Sequence, residues 1–120
     1  MEKQHWFKDF PAAITITNQD GIILDMNDHA AAMFSKDGGY ELIGSNAFNC
    51  HPEPARTKLL NLFETHSSNV YSITKDGQKK LIYQAPYFTD GIFSGMVEIC
   101  LKIPEDIPHF DRDHPDLINI

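Results

Sequence analysis

A strand, an Asp-Gly turn and a second strand, followed at once by a helix signal, constrain the fold of this chain more than any other feature. The residues are "AAITITNQDGIILDMN", positions 12–27. In the first part Ile14 and Ile16 alternate with Thr15 and Thr17, which is the two-residue period of a β-strand. Asp20-Gly21 is typical of a tight turn, so this stretch predicts a β-hairpin.

Helices are predicted between this hairpin and the strands of the last third. Asn27 is suited to cap a short helix through "HAAAMF", and the two glycines of "SKDGG" end it. Pro54 fits the first position of a longer helix. The apolar face of that helix is predicted to consist of Leu59, Leu60, Leu62 and Phe63.

The last third predicts three strands, "NVYSITK", "KKLIYQAPYF" and "IFSGMVEICLKI", separated by the turns "DGQ" and "TDG". If the first hairpin joins an edge of this meander, the result is an α+β fold: a five-stranded antiparallel sheet with short helices covering one face. We predict an N-terminal cap at 1–9, a domain at 10–103 and an irregular, Pro-rich, acidic arm at 104–120. The arm would pack through Ile107, Phe110 and Leu117.

Charge and composition exclude several classes of function. The 120 residues fit one domain, and the net charge is -7, with 10 scattered basic residues against 17 acidic ones, so nucleic-acid binding is not expected. No apolar run approaches the roughly 20 residues of a membrane helix. The charged N-terminus is unlike a secretory signal, so we expect a cytoplasmic protein. Two cysteines without CxxC or HxxxH spacing predict neither a disulfide framework nor a metal site.

The order of elements and several short motifs resemble a PAS domain over residues 10–103. The matching positions are Asp20-Gly21 in the turn, Asn27 as the helix cap, Ala30-Ala31 and Phe34 in the short helix, and "ELIGSN" after it. "NCHPEPAR" and "IPHF" resemble a subset of small stand-alone bacterial PAS proteins with a Cys-His-Pro element. The prolines of "CLKIPEDIPHF" depart from the family, because many PAS domains continue there into a helix that leads to the output domain.

The resemblance implies a sensory, signal-transducing module with no catalytic activity of its own. It would bind a small molecule, a protein partner, or both, and we expect a homodimer that signals through a separate protein. The first alternative is a purely structural interaction domain with a filled core. The others are a haem-binding or redox-sensing PAS protein that uses His51 or Cys50, and a small acid-base enzyme.

A PAS-like sheet under helices implies a mostly apolar pocket with few polar anchors. The cofactor is unknown, and a small apolar or aromatic ligand would suit such walls. Glu98 faces either solvent, which we favour, or the interior. Tyr83 and Tyr87 share one face of their strand if no bulge intervenes. The predicted ligand-binding residues are Met26, Phe34, Phe48, Cys50, His51, Leu59, Phe63, Tyr83, Tyr87, Met96 and Glu98.

The adjacent pair Cys50-His51 leaves several interpretations open. His51 could ligate haem, Cys50 could sense oxidants, and His51 with Glu98 could perform acid-base chemistry. The interpretation we favour is structural. In it Cys50 is a small buried group, His51 bonds a backbone carbonyl, and Pro52 and Pro54 fix the start of the long helix.

Overall fold

The computed structural model describes residues 5–114, and within this range the chain forms five β-strands, three α-helices and three short 3-10 helices. The strands are β1 (Ala13–Thr17), β2 (Ile23–Met26), β3 (Asn69–Lys75), β4 (Gln78–Thr89) and β5 (Ile92–Lys102). The helices are α1 (His5–Asp9), α2 (Asp28–Met33) and α3 (Ala55–Thr65). The 3-10 helices are Ser35–Asp37, Gly39–Leu42 and Ala47–Cys50. The predicted α+β fold is confirmed.

All strand pairs are antiparallel, and the order across the sheet is β2-β1-β5-β4-β3. The first hairpin therefore joins the edge of the meander, as predicted. Directly paired residues share a face of a sheet. Thr15 pairs with both Met26 and Glu98, and Glu98 pairs with Gln84, so these four side chains lie on one face. We call it the inner face, because it holds the core.

Asn27 connects the sheet to α2, as the sequence predicts for a helix cap. Its Oδ1 accepts hydrogen bonds from the backbone N–H groups of Ala30, at 3.1 Å, and Ile14, at 3.0 Å. Its Nδ2 donates to the carbonyl of Ala12 at 2.7 Å, and the side chain is fully buried. One amide thus caps the helix and holds the start of β1 in place.

The outer edge of β2 is covered by the segment 44–47, which joins the second 3-10 helix to the third. Ile23 donates to the carbonyl of Ser45, Gly44 donates to Ile23, and Ala47 donates to the carbonyl of Gly21, at 2.8–2.9 Å. An exposed strand edge offers unpaired backbone groups to other chains. These bonds satisfy that edge and place the 3-10 helix Ala47–Cys50 beside the inner face.

The core lies between the inner face and α3. Leu59, Leu62 and Phe63 of α3 are buried, and the ring of Phe63 makes edge contacts with Phe48, at 4.8 Å, and Phe93, at 6.0 Å. Burial of an aromatic side chain of this kind contributes about 2 kcal/mol through the apolar area removed from water. Leu60, predicted on the same apolar face, is exposed instead, because the buried stripe of α3 is narrower than predicted.

The C-terminal arm lacks regular structure from residue 104 to residue 114. Phe110 is half-buried, but Ile107 is 58% exposed, so the prediction that Ile107 packs the arm is wrong. Leu117 and the first four residues of the predicted cap lie outside the described residues. No helix of the described residues is long and apolar enough to cross a membrane.

Candidate functional site: a cavity between the sheet and the helices

A cavity of about 470 Å³ lies between the inner face of the sheet and the helical segments. The volume falls in the range of roughly 300–1,000 Å³ that is usual for small-molecule sites. The helical side supplies Phe34, Leu42, Ala47, Leu59 and Phe63, and the sheet supplies Ile23, Met96 and Val97. Half of the lining residues are therefore apolar, and apolar atoms make up most of the cavity surface.

Polar groups line the rest of the cavity. On the sheet they are Thr15, Thr17, Gln84 and Glu98, and on the helical side they are Asp37, Asn49, Cys50 and His51. The hydroxyl of Thr17 is already engaged with the backbone of Met96 across the sheet. The hydroxyl of Thr15 makes no hydrogen bond to another described residue, so it is available to a bound molecule.

Three side chains form a fixed polar chain on the sheet. Nδ2 of Asn69 donates to Oε1 of Gln84 at 2.9 Å, and Nε2 of Gln84 donates to Oε2 of Glu98 at 2.8 Å. The first bond sets the orientation of the Gln84 amide, so that its N–H points at the carboxylate. The result is a half-buried carboxylate held on the wall of the cavity.

The prediction that Glu98 faces solvent is wrong. The sequence favoured a solvent-facing acid, but the side chain is half-buried and lines the cavity. The physical reason is its pairing. β4 presents Gln84 directly opposite, and a hydrogen bond from a neutral amide offsets part of the cost of removing a carboxylate from water.

The structural interpretation of the Cys50-His51 pair is right for His51 and wrong for Cys50. Nδ1 of His51 lies 2.7 Å from the carbonyl oxygen of Ala47, so the expected bond to a backbone carbonyl is confirmed. Cys50 is exposed, however, and its thiol donates to the carbonyl of Asn46 at 3.6 Å. The prediction of a buried Cys50 is wrong, because this last residue of the 3-10 helix is exposed while it also lines the cavity.

Glu53, which was not singled out from the sequence, caps the first turn of α3. Oε1 of Glu53 accepts hydrogen bonds from the backbone N–H and the hydroxyl of Thr57, at 3.0 and 2.7 Å. These bonds from the Thr57 side chain and backbone lower the pKa of the Glu53 carboxyl. The carboxylate therefore satisfies a free N–H of the first helical turn, next to the prolines that were predicted to fix it.

Seven of the eleven predicted ligand-binding residues line the cavity: Phe34, Cys50, His51, Leu59, Phe63, Met96 and Glu98. Their role in binding remains a prediction. The other four lie elsewhere. Met26 and Phe48 pack in the core, and Tyr83 lies on the outer face opposite Ile99. The hydroxyl of Tyr87 donates to the carbonyl of Thr17 at 2.9 Å.

Thr15, Gln84 and Asp37 line the cavity but were not predicted from the sequence. A signal for the first two existed, because alternation along β1 and β4 places every second residue inward. Alternation alone did not show which of the two sets of alternating residues in each strand faces the cavity. Polar residues are usually assigned to the solvent-facing set. Asp37 lies in a short 3-10 helix, for which no period could be read.

The electrostatic character of the cavity is acidic. Asp37 and Glu98 are carboxylates, and no lysine or arginine in the described part of the chain lines the wall. His51 and Glu98 line the same cavity but share no hydrogen bond. Within residues 5–114, no group of three or more His, Cys, Asp or Glu side chains is arranged to hold a metal ion.

Comparison with solved structures identifies the fold. No family model matches the chain, and no curated protein sequence matches it. It is similar to a C-terminal domain from Streptococcus mutans, with 23% identity, a TM-score of 0.67, and 80% of this chain and 78% of that chain covered. It is also similar to a sensory box sensor histidine kinase from Vibrio cholerae, with 16% identity, a TM-score of 0.61, and coverages of 81% and 85%.

A third similar structure is the PAS domain of BvgS from Bordetella pertussis. The identity is 18%, the TM-score is 0.59, and 82% of each chain is covered. The strand order, the short helices on one face and these similarities agree. The fold of residues 5–114 is that of PAS domains.

Proposed function

We propose that this chain is a PAS-type sensory module that holds a small molecule in the cavity described above. The observation that carries the proposal is the cavity itself, about 470 Å³ of space with a mostly apolar wall and one fixed carboxylate. Protein interiors are close-packed, and voids larger than a water molecule are few. A purely structural domain with a filled core, our first alternative, has no need of such a space.

The position of the cavity supports a sensory role. Its wall includes Cys50 and His51, which connect the 3-10 helix Ala47–Cys50 to the segment that leads into α3. A molecule in the cavity would contact this connection and Leu59 and Phe63 of α3 together. Binding would therefore restrain α3 relative to the sheet, and a ligand shifts a conformational equilibrium through such differential contacts. The similar sensor histidine kinase and BvgS domains support the same class of function.

The module is proposed to act in the cytoplasm without catalysis of its own, and to signal through a separate protein. The two free thiols, Cys50 and Cys100, suit a reducing compartment. His51 and Glu98 would need a substrate placed between them before acid-base chemistry becomes possible, because they share no hydrogen bond.

The proposal is tested by measuring whether the protein keeps a bound molecule. Native mass spectrometry of the chain purified from its producing cells is expected to show an added mass that disappears on denaturation. Thr15→Phe fills the cavity without breaking a hydrogen bond and is expected to lose the added mass. Thr74→Phe, on the exposed edge strand β3, is the matched control and should retain it. A wild-type protein without added mass, or equal retention in both variants, would contradict the proposal.

A second copy of the chain is the proposed partner. Trp6 and Phe10 of the N-terminal segment are 57% and 43% exposed, and their rings make an edge contact at 5.7 Å. Exposed aromatic clusters mark contact surfaces more often than chance. Light scattering is expected to give a dimer mass for the wild type and a monomer mass for Trp6→Ser. A monomer mass for the wild type at micromolar concentrations would contradict this part.

A further inference from the structure

We infer that the molecule held in the cavity is a cation with a small apolar body, such as a primary ammonium compound, and that Glu98 binds its charged group. This inference rests on the proposed function and specifies its ligand class. It follows from three properties of the wall. These are its free hydrogen-bond acceptors, the lack of lysine and arginine among the described lining residues, and the buried apolar side chains that make up the rest.

The first property is an unused acceptor on a fixed group. Oε2 of Glu98 accepts from Gln84 at 2.8 Å, but Oε1 has no hydrogen-bond partner among residues 5–114. The chain from Asn69 through Gln84 holds the carboxylate in one position. Charge-assisted hydrogen bonds to a carboxylate are shorter and stronger than neutral ones. A preorganised carboxylate oxygen therefore selects a ligand that donates.

His51 adds a second acceptor to the wall. Its Nδ1 lies 2.7 Å from the carbonyl oxygen of Ala47, and a carbonyl only accepts, so the hydrogen must be on Nδ1. In the neutral ring the other nitrogen, Nε2, then carries a lone pair and accepts. The Cys50 thiol is likewise committed as a donor to the carbonyl of Asn46. The Nδ1–H of His51 and the thiol of Cys50 are thus already used within the chain.

The second property is the charge of the wall. Glu98 and Asp37 are both carboxylates, and the lining contributed by the described residues contains neither lysine nor arginine. A carboxylate or phosphate ligand would face two like charges with no lysine or arginine to offset them, and the partial burial of Glu98 weakens the solvent screening of that repulsion. An ammonium group would meet opposite charge and an open acceptor. The wall therefore discriminates against anions as well as favouring cations.

The third property is the apolar remainder. Leu59, Phe63 and Met96 line the cavity and are buried, and they offer aliphatic, aromatic and thioether surface. Such a wall binds hydrocarbon or an aromatic ring by removing it from water. A ligand that uses the whole cavity is therefore amphipathic, with its charged end at the sheet and its apolar end toward α3.

The experiment uses three probes of similar size that share a phenyl ring and differ in the polar group. These are 2-phenylethylamine, 2-phenylethanol and phenylacetate, each titrated into the 120-residue protein freed of bound molecules and monitored by NMR chemical shifts. The amine is expected to bind at least about tenfold tighter than the acid, because a hydrogen bond to a charged group is worth at least that factor. Glu98→Gln should weaken amine binding about tenfold or more. It should change alcohol binding about twofold or less, since the glutamine keeps an oxygen for Gln84.

Glu64→Gln is the matched control, because it removes the same charge from the exposed face of α3. It is expected to leave all three affinities within about twofold of the wild type, since exposed charges are well screened. Asp37→Asn, an exposed position that carries no packing role, gives a second test of the charge argument should Glu98→Gln fold poorly. It should weaken amine binding in the same direction.

Three results would overturn the inference: acid binding as tight as amine binding, no amine binding at millimolar concentration, or an unchanged amine preference in Glu98→Gln. The ligand class can be wrong while the proposed function is right. The mass of the molecule that the protein retains from cells distinguishes these two cases. A retained acid would overturn the ligand class and leave the sensory proposal standing. A retained amine supports both.

Discussion

Asn27 fixes the start of β1, because its Oδ1 accepts a hydrogen bond from the backbone N–H of Ile14 at 3.0 Å. The same oxygen accepts from Ala30, and the amide nitrogen donates to the carbonyl of Ala12 at 2.7 Å. All these groups are buried, so water cannot replace the amide. This one side chain therefore links the start of α2 to the start of β1.

Asn27→Ala is therefore expected to lower the free energy of unfolding by about 3 kcal/mol. It removes a helix cap and leaves buried backbone groups without partners. Asn61→Ala, at an exposed position in α3, should change the same quantity by about 0.5 kcal/mol or less. Urea denaturation of both variants measures the difference. A loss below about 1 kcal/mol for Asn27→Ala would show that the amide is not essential to this junction.

Gly95 is predicted to be intolerant of any side chain. A Cβ at this position would lie 1.9 Å from the carbonyl oxygen of Thr17, and the backbone φ is +149°, which L-residues rarely adopt. Gly95→Ala is expected to cost about 3 kcal/mol or more, because neighbouring backbone must move. Gly44→Ala, where φ is also positive but nothing lies within 4 Å, should cost about 1 kcal/mol. Equal losses in thermal or urea unfolding would contradict the close approach of β1 and β5.

The two cysteines are expected to differ in reactivity. Cys50 is exposed, whereas Cys100 is 5% exposed and its burial raises the pKa of its thiol. Under native conditions an aromatic disulfide reagent should modify Cys50 at least about tenfold faster than Cys100. Cys50→Ala should remove the fast phase only, and denaturation should make both thiols react rapidly. A single fast phase for two thiols in the native protein would be inconsistent with a buried Cys100.

The pair Asp28 and Tyr40 gives a prediction about pH. The Tyr40 hydroxyl donates to Oδ1 of Asp28, which lowers the pKa of the carboxyl below 3.8 and raises the pKa of Tyr40 to about 12. A carboxyl with a lowered pKa stabilises the folded state above its unfolded pKa, and this contribution is lost as the pH falls through the folded value. The stability difference between wild type and Tyr40→Phe should therefore be present at neutral pH and vanish in acid.

Both side chains of that pair face solvent, so the difference is expected to be small and to shrink with added salt. Tyr83→Phe, which removes a hydroxyl that bonds no other described residue, serves as the control and should show no such pH dependence. Urea midpoints at several pH values provide the measurement. A constant difference across the acid range would mean that the bond to the carboxylate does not contribute.

The fold could be predicted from the sequence because its local signals agree with one another. Alternation in "AAITIT", the Asp20-Gly21 turn and the Asn27 cap each specify a neighbouring element, and together they leave few topologies. The three strands of the last third have equally clear turns. The segment that covers the edge of β2 was less visible, because the 3-10 helices on either side of it have only three or four residues and show no hydrophobic period.

The cavity could be predicted only in part, because its wall is decided by contacts between distant segments. Apolar lining residues such as Phe63 and Met96 were found, since they belong to periodic elements. Gln84 was missed, because its importance comes from lying opposite Glu98 on the next strand and beside Asn69 on the previous one. The hydrogen bonds from Asn69 through Gln84 to Glu98 join three strands, so the residue pattern within one strand cannot predict them. The exposure of Cys50 was missed for the same reason.

The methionine methyl groups offer the most direct test of the claim that the cavity holds a small molecule. Met96 lines the cavity, Met26 is buried outside its wall, and Met33 is exposed on α2. Methyl NMR spectra of labelled protein as isolated are compared with spectra after unfolding, removal of small molecules and refolding. If the cavity holds a small molecule, its removal is expected to shift the Met96 signal strongly, the Met26 signal slightly and the Met33 signal not at all. Identical Met96 signals before and after removal would contradict it.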